Sequence, residues 1–152
     1  MKRILKPLAW LLLITAVILL LMLLNRTDKL LDQADIPWTD VRGVLDSETW
    51  TDWLNYTDGY DWVILRVGKG FTPPAGWTHG TATLREINPT TSSHYFHTGF
   101  IQHSALPETF THWLYIPHND ADDFARRAWF AAMYDENSGI LALYHGHDLW
   151  GF

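Results

Sequence analysis

Cysteine is absent from the 152-residue chain, which excludes disulfides, thiol chemistry and attachment of a lipid through an N-terminal cysteine. A domain without such staples must hold itself together by packing. The nine tryptophans suit that task, because each buried aromatic ring removes ~150–250 Å² from water.

Basic residues are scarce beyond the N-terminus. Lys2, Arg3 and Lys6 precede a long apolar run, and every Asp and Glu follows it. With those three set aside, eight of the 11 Lys+Arg face 17 Asp+Glu, so the rest of the chain carries about −9. A domain of that sign repels phosphate backbones, and nucleic acid is not an expected partner.

Several catalytic frames are missing as well. There is no G-x-S-x-G, and the adjacent His103 and Ser104 would point apart on a strand. Gly68-Lys69-Gly70 is too short for a phosphate loop, and Lys69 is not followed by Ser or Thr. The acidic run Asn119–Asp123 lacks the glycine and the final glutamate of a calcium hand. No catalytic residue is therefore assigned.

What is present begins with Leu8–Leu24, an apolar run whose only polar residue is Thr15. With Ile4 and Leu5 it matches the ~20 residues needed to cross ~30 Å of hydrocarbon. The basic residues before it favour a cytoplasmic N-terminus and an exported remainder. No small-x-small exit site follows the run, so an uncleaved signal anchor is expected rather than a cleaved signal peptide. The run holds no charge and no GxxxG pair, which leaves attachment as its job. The expected location is the inner (plasma) membrane, crossed once through residues 4–24, with the C-terminal domain periplasmic or extracellular.

Three stretches follow from this reading: an anchor at 1–25, a juxtamembrane segment at 26–45 and an extracytoplasmic α+β domain at 46–152. Asp35-Ile36-Pro37 breaks the first helix. Asp46 and Ser47 suggest the cap of a short helix carrying Trp50, Trp53 and Leu54. Strands are expected at Tyr60–Val67, Thr81–Ile87, His94–Gln102, His112–Ile116 and Ile140–His145, with a loop from Gly68 to Thr78. Asn119 or Asp120 caps a longer helix, in which Phe124, Ala128, Ala131 and Ala132 form an apolar stripe. The fold class is α+β: an N-terminal transmembrane helix, then a small, mostly antiparallel sheet with one long packed helix.

Eight histidines, all beyond the apolar run, are the main chemical signal. His145 and His147 alternate on a strand and can present two imidazoles to one zinc or copper ion, with Asp148 beside them and either His97 or His94 from a neighbouring strand. Trp77 in a Pro/Gly loop, with Trp150 and Phe152 near the C-terminus, are the candidate partner-binding residues. Three functions compete. The first is a membrane-anchored accessory or binding protein that presents an acidic domain to a protein partner. The alternative is a metal-dependent enzyme or metal binder using His-x-His, and the third is sugar recognition by exposed tryptophans.

Overall fold

A computed structural model describes the chain at residues 2–51, 58–87, 96, 98–119 and 127–148. Its first element is α1 (Lys2–Gln33), long and apolar enough to cross a membrane. Side chains from Trp10 to Leu21 are exposed. The hydroxyl of Thr15 donates to the Leu11 carbonyl at 2.9 Å, so the run's single polar side chain is satisfied within the helix.

The same helix continues beyond the apolar run and becomes part of a core. Leu30, Leu31, Ala34 and Ile36 are buried, as is Thr27. The helix ends in a Schellman cap: Ile36 N–H donates to Leu31 O at 3.0 Å and Asp35 N–H to Asp32 O at 3.1 Å. Asp35 adopts φ 58° at the left-handed position, which Asp tolerates better than most residues. Ile36 and Leu31 then share one apolar cluster, the contact that accompanies this cap. Trp38, in a short 3-10 turn (Trp38–Asp40), donates its indole N–H back to Asp28.

Among the described residues six strands follow: β1 (Val41–Thr51), β2 (Asp58–Val67), β3 (Thr78–Ala82), β4 (Phe110–Asn119), β5 (Arg127–Asp135) and β6 (Ile140–Asp148). They form one sheet in the order β1-β2-β6-β5-β4-β3, with every neighbouring pair antiparallel. The loop at 68–77 carries the chain from β2 to the far edge. From there β3 to β6 return strand by strand until β6 closes against β2. Two one-turn helices, α2 (Leu84–Ile87) and α3 (Thr98–Ile101), lie between β3 and β4.

Both faces of this sheet are covered. Val63, Leu65, Phe130, Ala132, Leu141 and Leu143 pack under the end of α1. Alternate residues, including Trp62, Ile64, Ala131, Met133, Ala142 and Tyr144, pack with Ile87 of α2 and Phe100 of α3 on the other side. Central strands buried on two faces need apolar residues at every position, which accounts for runs such as Trp62–Leu65 and Trp129–Tyr134.

The β5–β6 turn is tied by Asp135. Its Oδ2 accepts from Ser138 Oγ at 2.6 Å and Ser138 N at 2.9 Å, while Oδ1 accepts from Asn137. Gly139, at φ 68°, supplies the left-handed residue that returns the chain to β6. Burial pushes the Asp135 carboxyl up, but the donors from Ser138 and Asn137 outweigh it and hold the group below the usual carboxylate range. A lowered native pKa stabilises the fold above the unfolded value and loses that contribution as pH falls through the native one. Asp135→Ala should therefore cost about 2 kcal/mol at neutral pH. The difference from the parent should shrink below about pH 4, as urea melts at several pH values will reveal.

The helix expected after Asn119 is not formed where its apolar stripe lies. Residues Arg127–Asp135 are β5, and the β4 ladder reaches Asn119, so no long helix packs on the sheet within 127–135. The packed helix is instead the end of α1. The short helix expected from Asp46 is the bulged strand β1. The strand expected over Thr81–Ile87 stops at Ala82 and gives way to α2. Within the strand expected over His94–Gln102, Thr98–Ile101 is helical, while His94 and His97 lie outside the described residues.

Candidate functional site

The helix and the sheet do not close on each other completely. Between α1 and the β1–β2 edge lies an open cavity of about 250 Å³. Leu19 and Arg26 of α1 line it with Thr27, and Ser47, Thr49 and Asp61 face them from the sheet side. Leu19, Arg26 and Leu30 are spaced by seven and four residues, which puts them on one side of a helix. Thr49 and Asp61 are register partners, and Thr49 Oγ1 donates to Asp61 Oδ1 at 2.5 Å. That bond fixes the direction of the carboxylate in the cavity wall.

Asp61 has a second register partner across the sheet, His145 of β6. Directly opposed residues of an antiparallel pair project to the same side, with Cβ atoms ~4.5–5.5 Å apart. Thr49, Asp61 and His145 thus make a polar row across β1, β2 and β6 on the face that α1 covers. The sequence singled out His145 but gave no sign of Asp61. His147 and Asp148 belong to the same strand by backbone, but their side chains, like the whole of His97, lie outside what is described. Among the described residues no three His, Asp or Glu side chains gather around one point.

On the opposite face, Glu48 accepts from Tyr60 Oη at 3.1 Å. Burial, reinforced by that carboxylate, pushes the Tyr60 phenol up to about 12, so Tyr60 keeps its proton and acts only as a donor to Glu48. Tyr60 begins an aromatic row. Trp50 stacks on it at 6.0 Å from the β1 edge, Tyr144 at 6.1 Å from β6, and Trp129 stacks on Tyr144 at 4.9 Å. Trp50 is 47% exposed and leaves this row open at one end.

Three other histidines make defined contacts. His103 Nδ1 accepts from Ala105 N–H at 3.1 Å, so its proton sits on Nε2, 2.9 Å from Asp46 Oδ2. Both ring nitrogens are occupied, and the pair acts as a latch between the segment that follows α3 and β1 rather than as a base for Ser104. His79 and His112 are cross-strand partners on β3 and β4, with ring centroids 4.7 Å apart.

Trp77 is half-buried and packs against the core cluster beneath α1. Its indole nitrogen is buried without a hydrogen-bond acceptor among the described residues. Trp150 and Phe152 lie outside the described residues. Compared with known protein families, curated proteins and solved structures, the chain shows no significant match to any of them.

Proposed function

We propose that the chain is a single-pass accessory protein of the inner (plasma) membrane, with its N-terminus cytoplasmic and its acidic α+β domain held against the outer surface for a protein partner. The observation that carries this reading is the continuity of α1. The apolar run passes unbroken into Leu30, Leu31 and Ala34, which are buried in the domain's own core. A domain fastened in this way is presented in one fixed orientation and at one height, which suits a subunit or adaptor. Lys2, Arg3 and Lys6 give the orientation, and the net charge of about −9 favours a basic docking surface on the partner.

The test uses the full chain in its native membrane. It should resist extraction by alkaline carbonate, and protease added outside the cell should cleave the domain. After cross-linking through surface carboxylates, one partner should be recovered in fixed proportion, with less recovered as salt rises. A domain protected from outside protease, or a chain purified alone without a stoichiometric partner, overturns the reading.

A zinc- or copper-dependent site at His145 and His147 is the second reading, supported by the placement of Asp61 opposite His145. A carboxylate beside a ligating imidazole commonly orients it. Elemental analysis of the same preparation separates the two. About one equivalent of metal, lost in the double variant His145→Ala/His147→Ala, makes the metal site primary.

A further inference from the structure

We propose that the cavity between α1 and the β1–β2 edge seats the head group of an aminophospholipid, with Arg26 on the phosphate and Asp61 on the ammonium. The proposal rests on the membrane-anchored reading above, because its ligand comes from the bilayer.

Height is the first argument. Leu19 lies inside the apolar run and Arg26 lies two residues beyond its end at Leu24, yet both line the same cavity. Seven residues of helix rise about 10 Å. The interfacial layer on each side of the hydrocarbon is about 5–8 Å thick. The cavity starts at Leu19, about 8 Å inside the end of the run, and reaches Leu30, about 9 Å beyond it, so it crosses the layer in which head groups sit. Trp50, exposed on the opposite face of the same strand β1, is a residue type that favours the same layer.

The lining points the same way. Leu19, on the bilayer side, offers apolar surface to the glycerol end of a lipid, Leu30 and Val63 complete the apolar part of the wall, and Arg26 offers a planar cation suited to phosphate. Hydroxyls of Ser47 and Thr49 and the oriented carboxylate of Asp61 line the sheet side. Charge selects among head groups. A purely anionic lipid satisfies Arg26 but brings its net charge against Asp61 and the acidic domain behind it. A choline cannot donate a hydrogen bond to Asp61, whereas a primary ammonium donates three. Size agrees. At about 250 Å³ the cavity is smaller than the ~300–1,000 Å³ of clefts that enclose a drug-sized molecule, and suits a head group.

The test is lipid retention by the full chain. Released from nanodiscs of equimolar phosphatidylethanolamine, phosphatidylcholine and phosphatidylglycerol and weighed by native mass spectrometry, it should keep one ethanolamine lipid. The preference over phosphatidylcholine should be tenfold or more. Asp61→Asn still accepts from Thr49 and should erase that preference without changing the melting temperature. Arg26→Gln, at an exposed position, should weaken retention of both lipids and serves as the second variant if Asp61→Asn misfolds.

Equal retention of the three lipids, or an Asp61→Asn variant with undiminished preference, overturns the proposal. So does binding of soluble phosphoethanolamine without lipid retention, which assigns the cavity to a water-borne ligand. Carbonate extraction of the same chain is scored separately. A chain that extracts as soluble protein fails as an anchored protein, whereas one that stays in the membrane without lipid preference fails only here.

Discussion

A chain beginning at residue 37 should not fold, whereas one beginning at residue 25 should be soluble and unfold cooperatively. Both lack the exposed apolar run, and they differ by the segment containing Leu30, Leu31, Ala34 and Ile36, each no more than 4% exposed. Full burial of a Leu or Ile side chain stabilises by ~1.5–3 kcal/mol, and a smaller amount follows for Ala, so the segment contributes about 7 kcal/mol. That approaches the whole stability of an ordinary domain, ~5–15 kcal/mol. Its removal also bares the sheet face formed by Val63, Leu65, Phe130, Ala132, Leu141 and Leu143. The shorter chain should therefore bind a hydrophobic dye and aggregate. In the longer one, Leu31→Ala alone should cost about 3 kcal/mol. Equal melting temperatures for the two truncations would mean that α1 merely rests on the sheet.

The distinction was hidden in the sequence for a physical reason. Apolar residues needed by lipid and apolar residues needed by a core look the same, so Leu30 and Leu31 read as a fading tail of the anchor. Only the stop signal at Asp35-Ile36-Pro37 was legible, and the helix does end there. β6 was legible because the turn residues Ser138-Gly139 precede it, whereas Asp58-Gly59, turn residues by type, are the first residues of β2 and pair with Asp148 and His147. β5 was not legible. Ala128, Ala131 and Ala132 are strong helix formers at helical spacing, yet Ala131 and Ala132 lie in a strand and are fully buried. With large side chains of β6 beside them and cover on both faces, tertiary packing overrides propensity. β1 misled for another reason, since Asp46 and Ser47, residue types that also cap helices, here follow a register shift between Val44 and Asp46 and pair with β2.

The cavity was illegible in a deeper sense. Arg26, Thr49 and Asp61, which line it, and His145, which stands opposite Asp61, come from separate stretches of chain, and no local pattern joins them. His145 could be read as a strand residue that shares a face with His147. Which carboxylate stands opposite it depends on β6 pairing with β2 across the returning meander, and sequence spacing carries no trace of that pairing. The aromatic row has the same origin. Trp50, Tyr60, Tyr144 and Trp129 are isolated in sequence and become neighbours only through the order of the strands.

That row leads to the second large effect. Gly146→Ala should lower stability by about 3 kcal/mol, a fall of about 12 °C in Tm for a domain of this size. A methyl group at Gly146 would meet Trp129 Nε1 at 2.5 Å and Cε2 at 2.7 Å, because the indole of β5 lies flat against the β6 backbone. The ring has little room to withdraw. Tyr144 stacks on it at 4.9 Å, and Phe96 meets it edge-on at 5.1 Å. Without the clash the substitution would gain about 0.5–1 kcal/mol, since Gly weakens a strand relative to Ala. The double-mutant cycle isolates the contact. In a Trp129→Leu background, already weakened by the lost ring, Gly146→Ala should be neutral or slightly stabilising, giving a coupling above about 2 kcal/mol. A Gly146→Ala protein that melts with the parent would mean the indole swings aside at no cost, and that the row across β1, β2, β6 and β5 is loosely packed. A large loss relieved by Trp129→Leu would show instead that Gly146 is required because the ring must lie on bare backbone.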